Sequence, residues 1–151
     1  MAQTTAAING AAATISIKVA AGSYVDISGS SQSIDAATAT IQNSDTMTLD
    51  GDYGIILTGK FEPLDVKVNI LYTEVTSTEA FMLAHGAFTA KSAVQIKWVP
   101  KGSASGANTI ETKATGYITA LDYPAVTAEN ADALLCTFTV RCPGIAYTDV
   151  P

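Results

Sequence analysis

The side chains that most often carry chemistry are few in this chain. It has one histidine, His85, and two cysteines, Cys136 and Cys142. A serine or cysteine nucleophile needs an imidazole base beside it, and a zinc site needs about four clustered ligands. The spacing of these three residues meets neither requirement. His85 precedes Gly86, which is typical of the last turn of a helix, where a histidine complements the helix dipole. We therefore predict no catalytic residue and no zinc site.

The segment Asp50-Gly51-Asp52 is the other candidate, because carboxylates at alternate positions can bind calcium. An EF-hand loop also needs a glutamate at its twelfth position, and that position holds Phe61. Aspartate and glycine together are typical of a tight turn. The sequence shows no glycine-rich phosphate loop and no nucleophile elbow. We interpret the segment as a turn and predict no metal, no cofactor and no enzyme activity.

Four aromatic residues, Trp98, Tyr117, Tyr123 and Phe138, could form a stacking platform for bases or sugars. They lie in or beside segments that alternate as strands do. Packing in the core is therefore the favoured interpretation.

The net charge of the chain argues against a protein that binds nucleic acid tightly. The net charge is -6 and the pI is about 4.5, whereas phosphate binding depends on lysine and arginine. The eight basic residues form no run: Lys18, Lys60, Lys67, Lys91, Lys97, Lys101, Lys113 and Arg141. An acidic wall does suit a conduit through which DNA passes without sticking. Only 15% of the residues are charged, whereas 48% are apolar. This charged fraction is low for a protein that works as a single monomer.

The N-terminal residues and the lengths of the apolar stretches indicate the cellular location that we expect for the chain. Residues 1–10 have no cationic region and no sustained apolar run, so they lack the features of a secretory signal. No stretch approaches the roughly 20 apolar residues of a membrane span. We expect a soluble chain made in the cytoplasm, with no membrane span.

Residues 132–145 give the strongest structural signal, because apolar and polar residues alternate there with a period of two. We predict a strand that closes the domain and ends at Pro143-Gly144. One face holds the predicted core residues Leu134, Cys136, Phe138 and Val140, together with Cys142. The other face holds Thr137 and Thr139. Cys136 and Cys142 lie about 20 Å apart on an extended strand, so both are expected to be buried thiols rather than a disulfide.

Similar alternation recurs along the chain and predicts seven or eight strands in a single domain, residues 1–151. The segments are 14–19, 25–27, 37–41, 66–72, 94–98 and 110–121. One helix interrupts them, because Thr76 and Glu79 have the spacing of a capping box ahead of Ala80 to His85. The predicted fold class is all-β with one short helix, as a β-sandwich or barrel.

Residues 43–63 combine acidic and apolar side chains with glycine breakers. A loop of this length in a compact domain is usually functional, and its apolar content argues against disorder. We predict a long hairpin that projects from the sheet and docks on a partner. The residues expected to contact that partner are Asp45, Met47, Leu49, Asp50, Asp52, Tyr53, Ile55 and Leu57. An uncharged arm, residues 1–12, is a second candidate contact.

Strands rich in threonine, alanine and valine have two edges that invite pairing unless they are blocked. If identical subunits pair edge to edge in a ring, the sheet closes into a large barrel. One face then lines a lumen. Thr137 and Thr139 suit that face because they are small and polar.

Four sequence segments carry a resemblance to a known family. They are residues 65–72 (DVKVNILY), 79–81 (EAF), 116–121 (GYITAL) and 136–145 (CTFTVRCPGI). In this order, with the long loop and the short helix between them, the sequence resembles the tail tube proteins of bacteriophages with long, non-contractile tails. Some members carry an extra immunoglobulin-like domain, and we expect this chain, whose sequence ends at Pro151, to be a member without one.

The resemblance implies a structural protein of the virion tail, made in the host bacterial cytoplasm. It implies hexameric rings that stack into a hollow tube, a continuous inner barrel, and a hairpin that bridges successive rings. The implied partners are further copies of the chain, the tape-measure protein, the tail-tip and tail-terminator proteins, and DNA that passes through the lumen without specific binding.

Two alternatives stay open from the sequence. Alternating strands rich in threonine also suit an extracellular β-sandwich module that binds carbohydrate or a receptor. The tube of a contractile injection system would share the predicted fold, and a neighbouring sheath gene would identify it.

Overall fold

A computed structural model describes residues 8–104, 106–113, 115–128 and 132–149. In that part of the chain there are eleven strands, one α-helix and two single 3-10 turns at Gly10–Ala12 and Ser28–Ser30. The strands are β1 Thr14–Val19, β2 Val25–Asp26, β3 Ser31–Ile34, β4 Ile41–Thr46, β5 Ile55–Phe61, β6 Leu64–Leu71, β7 Ala93–Val99, β8 Thr109–Thr112, β9 Gly116–Leu121, β10 Leu135–Cys142 and β11 Ile145–Thr148. The helix is α1, Ala80–Thr89.

Nine of these strands form one antiparallel sheet. Its main path runs β11-β8-β7-β9-β10-β6-β3, and β1 pairs with both β7 and β2. Strands β8 and β9 follow each other along β7, with Lys97 opposite Glu111 and Ala93 opposite Tyr117. Strand β10 pairs with β9, and β11 pairs with β8. Strands β8 and β9 therefore face β11 and β10 in the order of a long hairpin.

The core lies on one face of this sheet. Along β6 and β10 the buried residues alternate with less buried ones, and Val68 lies opposite Phe138. Both of these side chains are completely buried. The helix adds its own buried side, made of Ala80, Phe81, Ala84 and Ala87. The opposite face of β6 and β10 carries polar residues, as the period-two pattern requires.

Gly116, the first residue of β9, shows how closely the strands approach. A Cβ atom at this position would lie 2.8 Å from the Val94 carbonyl oxygen and 3.1 Å from Val140 Cγ1. A larger residue therefore needs a backbone shift.

The predicted helix is present, but its predicted boundaries are wrong. Glu79 is the N-cap residue and makes no side-chain capping bond, while Thr76 Oγ1 and Thr78 Oγ1 lie 3.0 Å apart. The helix continues through Gly86 to Thr89, so His85 lies inside it rather than in its last turn. Beyond Gly86 the helix continues with Ala87, which is buried. The packing of this last turn outweighs the cost of about 1 kcal/mol for a glycine within a helix.

Three other predictions need correction. Residues 37–40 are not a strand, and β4 begins at Ile41. Residues 110–121 are two strands, because the chain bends after Thr112 and Thr115 has a positive φ of 74°. Strand β10 ends before Pro143 as predicted, yet it does not close the domain, since β11 follows it.

Candidate assembly surfaces

The residues predicted to contact a partner lie on a two-stranded hairpin formed by β4 and β5. Within the described residues, these two strands pair with each other and with no third strand. Every residue from 41 to 61 is exposed. Met47 is 81% exposed and Leu49, near the tip, is fully exposed. The structure thus brings together on the hairpin the eight predicted residues Asp45, Met47, Leu49, Asp50, Asp52, Tyr53, Ile55 and Leu57.

The base and the tip of the hairpin are held by local hydrogen bonds. At the base, Thr40 Oγ1 donates to Glu62 Oε2 at 2.9 Å, and the Glu62 amide donates to the Thr40 carbonyl at 3.0 Å. Near the tip, Thr48 Oγ1 donates to the Asp50 carbonyl at 2.6 Å. Gly51 has a φ of +121°, a conformation that favours glycine. These contacts describe a turn at Asp50-Gly51-Asp52.

The two strands of the hairpin differ in character. Strand β4 has the sequence IQNSDT and is polar after its first residue, whereas β5 has the sequence IILTGKF. Because neighbouring residues of a strand point to opposite faces, Ile55 and Leu57 lie on one face and Ile56 on the other. A strand that is apolar on both faces is typical of one that is covered on both sides. Nothing within the described chain covers β5.

The residues predicted to face a lumen lie on the polar face of β6 and β10. Thr137 Oγ1 donates to Asn69 Oδ1 at 2.9 Å. Asn69 Nδ2 in turn lies 2.9 Å from both Ser33 Oγ and Asp35 Oδ1. Thr139 lies opposite Lys67 in the β6 register and opposite Ala120 in the β9 register. Both threonines are half-buried.

Charges on this face occur with both signs. Arg141 and Asp65 form a salt bridge of 3.1 Å, and each side chain is about half exposed. Lys67 and Asp35 lie on the same side of the sheet, near the Asn69 network. The acidic character of the whole chain is therefore not concentrated on the central part of this face.

The opposite side of β10 packs into the core. Cys136, Phe138 and Val140 are buried, and Leu134 lies just before the strand and is half-buried. The Leu134 carbonyl accepts a hydrogen bond of 2.8 Å from the Tyr72 amide. Burial raises the pKa of the Cys136 and Cys142 thiols, and both are free cysteines. A thiol that stays protonated is a poor nucleophile.

Sequence reasoning did not find an aromatic group around the helix. Phe81 contacts Tyr72 edge-on at 4.8 Å between ring centroids, and His85 stacks on Phe81 at 6.0 Å. Tyr123 lies 6.0 Å from both Phe81 and His85. Helical spacing of Phe81 and His85 was the available signal. Tyr123 itself is 60% exposed and Tyr117 is 47% exposed, so the prediction that they pack in the core is wrong.

Sequence reasoning also missed a polar group formed by Tyr24, just before β2, Lys97 on β7 and Glu111 on β8. Tyr24 donates to Glu111 Oε2 at 3.1 Å, and Lys97 Nζ lies 4.2 Å from the centroid of the Tyr24 ring. Burial, with the charge of Glu111 beside it, raises the pKa of Tyr24 to about 12. The β7 and β8 register places Lys97 opposite Glu111, and the pairing of β2 with β1 and of β1 with β7 brings Tyr24 to them.

In the described part of the chain, no group of three or more histidine, cysteine, aspartate or glutamate side chains is placed to hold a metal. No helix in that part is both long enough and apolar enough to cross a membrane. Of the predicted N-terminal arm, residues 1–7 lie outside the described residues. Ile8 is 62% exposed, and Asn9 caps the turn at Gly10–Ala12.

Comparison with known proteins identifies the fold. No family model matches the chain, and no curated protein matches it by sequence. A chain of the anti-feeding prophage baseplate, solved with 6-fold symmetry, matches with a TM-score of 0.73 at 10% identity over 99% of both chains. A chain of the sheath/tube terminator of an extracellular contractile injection system matches with a TM-score of 0.64 at 10% identity, over 89% of this chain and 92% of that one. The SPP1 tail tube matches with a TM-score of 0.70 at 11% identity, over 95% of this chain and 80% of that one.

The chain therefore has the fold of tail tube proteins. The predicted class, all-β with one short helix, is confirmed, as is the structural resemblance to tail tubes of phage-like systems. The closure of the sheet into a barrel and the inter-ring role of the hairpin stay predictions.

Proposed function

We propose that this protein is a structural component of a virion tail, which polymerises as stacked six-membered rings into a hollow tube. The observation that carries the proposal is the match to the SPP1 tail tube over 95% of the chain. Six-fold rings are supported by the symmetry of the matching prophage baseplate structure. The proposed role is structural and involves no catalysis.

The exposed hairpin supports polymerisation. A soluble monomer seldom exposes many large apolar residues together. On β4 and β5 and the turn between them, eight are exposed: Ile41, Met47, Leu49, Tyr53, Ile55, Ile56, Leu57 and Phe61. Burial of apolar surface between copies stabilises an assembly by about 25 cal/mol per Å². The hairpin is proposed to dock on a copy in the next ring, and residues 1–12 are proposed to make a second contact.

The polar face of β6 and β10 is the proposed lumen wall. Several of its side chains are small or engaged in short networks, such as Thr137 with Asn69 and Arg141 with Asp65. Such a wall presents few free cations to a phosphate backbone, which suits passage of DNA. The other proposed partners are a tape-measure protein, a tail-tip protein and a tail-terminator protein.

The tube of a contractile injection system is a second candidate. It is favoured by the match to the sheath/tube terminator of an extracellular contractile injection system, which covers 89% of this chain. A sheath-protein gene beside the gene for this chain would select this candidate. A genome with a tail gene cluster and no sheath gene would select the non-contractile tail.

Negative-stain electron microscopy of the concentrated, purified protein tests the proposal. We expect hollow tubes or rings of uniform width. Protein that stays monomeric at high concentration, both alone and with its tail-tip complex added, would contradict the proposed function.

A further inference from the structure

Two neighbouring strands separate where each meets a proline. Strands β6 and β10 pair as far as Leu64 opposite Cys142. Pro63 lies between β5 and the start of β6, and Pro143 lies between the end of β10 and β11. Proline has no amide hydrogen to donate to a ladder. Within the described residues, β5 pairs only with β4 and β11 only with β8, so each has one open edge.

The hydrogen-bonding pattern between β8 and β11 shows which amides of β11 point towards its open edge. The Lys113 amide donates to the Gly144 carbonyl at 2.9 Å, in the same register that places Ile145 opposite Thr112. Hydrogen-bonded and non-bonded pairs alternate along an antiparallel ladder. The amides of Ala146 and Thr148 therefore point towards β8. Those of Ile145 and Tyr147 point away from it.

The same argument applies to β5. The Glu62 amide donates to the Thr40 carbonyl at 3.0 Å, next to Phe61 opposite Ile41. The Phe61 amide therefore points away from β4. An open edge with outward amides is a template for another strand.

We propose that the open edge of β5 in one copy pairs with the open edge of β11 in a second copy, as an antiparallel ladder. This interface rests on the proposed function and specifies which strands make a contact between subunits. Pairing would place side chains of β11 beside the apolar side chains on both faces of β5, which have no such neighbours from a third strand in the described chain. The contact joins two different surfaces, so it is head-to-tail and repeats from copy to copy.

Charge favours the β11 surface of a second copy over a second hairpin as the partner of the hairpin. Residues 41–62 carry four carboxylates and one lysine, a net charge of -3. Charges of both signs lie near β11. Lys113 borders Gly144 and Lys101 lines with Tyr147 a cavity of about 560 Å³, while Glu111 lies opposite Ala146 and Asp149 follows the strand. An acidic hairpin is repelled by a second hairpin more than by this mixed surface, which favours the unlike contact over hairpin with hairpin.

Hydrogen exchange of the wild-type protein tests the interface directly. Peptides from β5 and β11 are compared in the monomer and in the assembled form. We expect the amides of Phe61, Ile145 and Tyr147 to exchange quickly in the monomer and to be protected on assembly. Assembly that leaves β5 or β11 as exposed as in the monomer would overturn the interface and leave the tube function standing. A wild-type chain that never assembles would overturn both.

A pair of substitutions isolates the backbone contact. Tyr147→Pro removes an outward amide and spares the ladder to β8, and Tyr147→Ala removes the same side chain but keeps the amide. Both variants lose the hydrogen bond that Asn108 donates to the Tyr147 hydroxyl. We expect Tyr147→Pro to raise the critical concentration for assembly about tenfold or more relative to Tyr147→Ala, with the β signal in circular dichroism unchanged. Equal critical concentrations for the two folded variants would overturn the proposed pairing.

Discussion

The pair β6 and β10 and the hairpin β4 and β5 use similar residues in opposite environments. In the first pair, apolar residues alternate with polar ones, and the apolar set is buried. In the hairpin, the apolar residues of β5 occupy both faces and all are exposed. Hydrophobic burial contributes to the stability of the monomer only in the first case. The second set can contribute only when another molecule covers it.

Replacing Phe138 with alanine is expected to have the largest effect. Phe138 is completely buried. It lies on β10 between β6 and β9, opposite Val68 of β6 and Leu121 of β9. Removing a buried phenylalanine ring should lower the free energy of unfolding by about 3 to 5 kcal/mol. Chemical denaturation of the monomer measures this change. Thr139→Ala, on the other face of the same strand, is the matched control and should change it by less than about 1 kcal/mol. Equal midpoints for the two variants would refute the assignment of faces.

A smaller effect is expected at Asp26, on the short strand β2. Its carboxylate accepts hydrogen bonds from the Ser28 amide at 2.8 Å and the Ser28 hydroxyl at 2.5 Å, and these bonds lower its pKa. A lowered pKa stabilises the folded state above the ordinary value of 3.8, and the contribution is lost as the pH falls through the folded value. Asp26→Asn should therefore reduce stability at pH 7, by about 1 kcal/mol or less for such an exposed group, and more weakly at pH 2.

Thermal unfolding at the two pH values measures this difference. Asp50→Asn is the control on the hairpin, where the carboxylate belongs to an exposed turn. If Asp50→Asn lost as much stability at pH 7 as Asp26→Asn, the contrast between the sheet and the hairpin would not hold for polar contacts.

The sequence predicted the strands with large buried residues better than the other segments, for a physical reason. In residues 64–71 and 135–142, large apolar residues mark the buried face. The alternation at 37–40 was carried by alanine and threonine, which bury little surface, and no strand forms there. The break between β8 and β9, residues 113–115, contains no glycine or proline, and the one glycine beside it, Gly116, already belongs to β9. Open edges depend on which strands separate, and this is a property of the folded topology that period-two patterns do not encode.

The surface networks were the other part that sequence could not supply. Glu111 and Tyr24 are 87 positions apart in the chain. They meet because Tyr24 precedes β2, β2 pairs with β1, and β1 and β8 both pair with β7. The docking character of residues 43–63 could be predicted, because apolar and acidic residues were mixed between glycines. The hairpin's own strands begin and end two residues earlier, at Ile41 and Phe61.

The smallest effect on the monomer is expected on the hairpin, and it tests the comparison most directly. In the variant Ile56→Ser with Leu57→Ser, one apolar side chain is lost from each face of β5. Both side chains are more than half exposed in the monomer. The free energy of unfolding of the monomer should change by less than about 0.5 kcal/mol. Assembly should be abolished or require a much higher concentration, because the surface to be covered has become polar.

The matched control is Thr58→Ser, which keeps a hydroxyl on the same strand and should assemble as the wild type does. Unfolding is followed in monomeric protein by denaturation, and assembly by sedimentation and electron microscopy. A double variant that assembles normally would show that the apolar residues of β5 are not covered by a neighbouring copy. A double variant whose monomer unfolds several kcal/mol more easily would show instead that β5 belongs to the core, because only side chains buried within the monomer contribute to its stability on that scale.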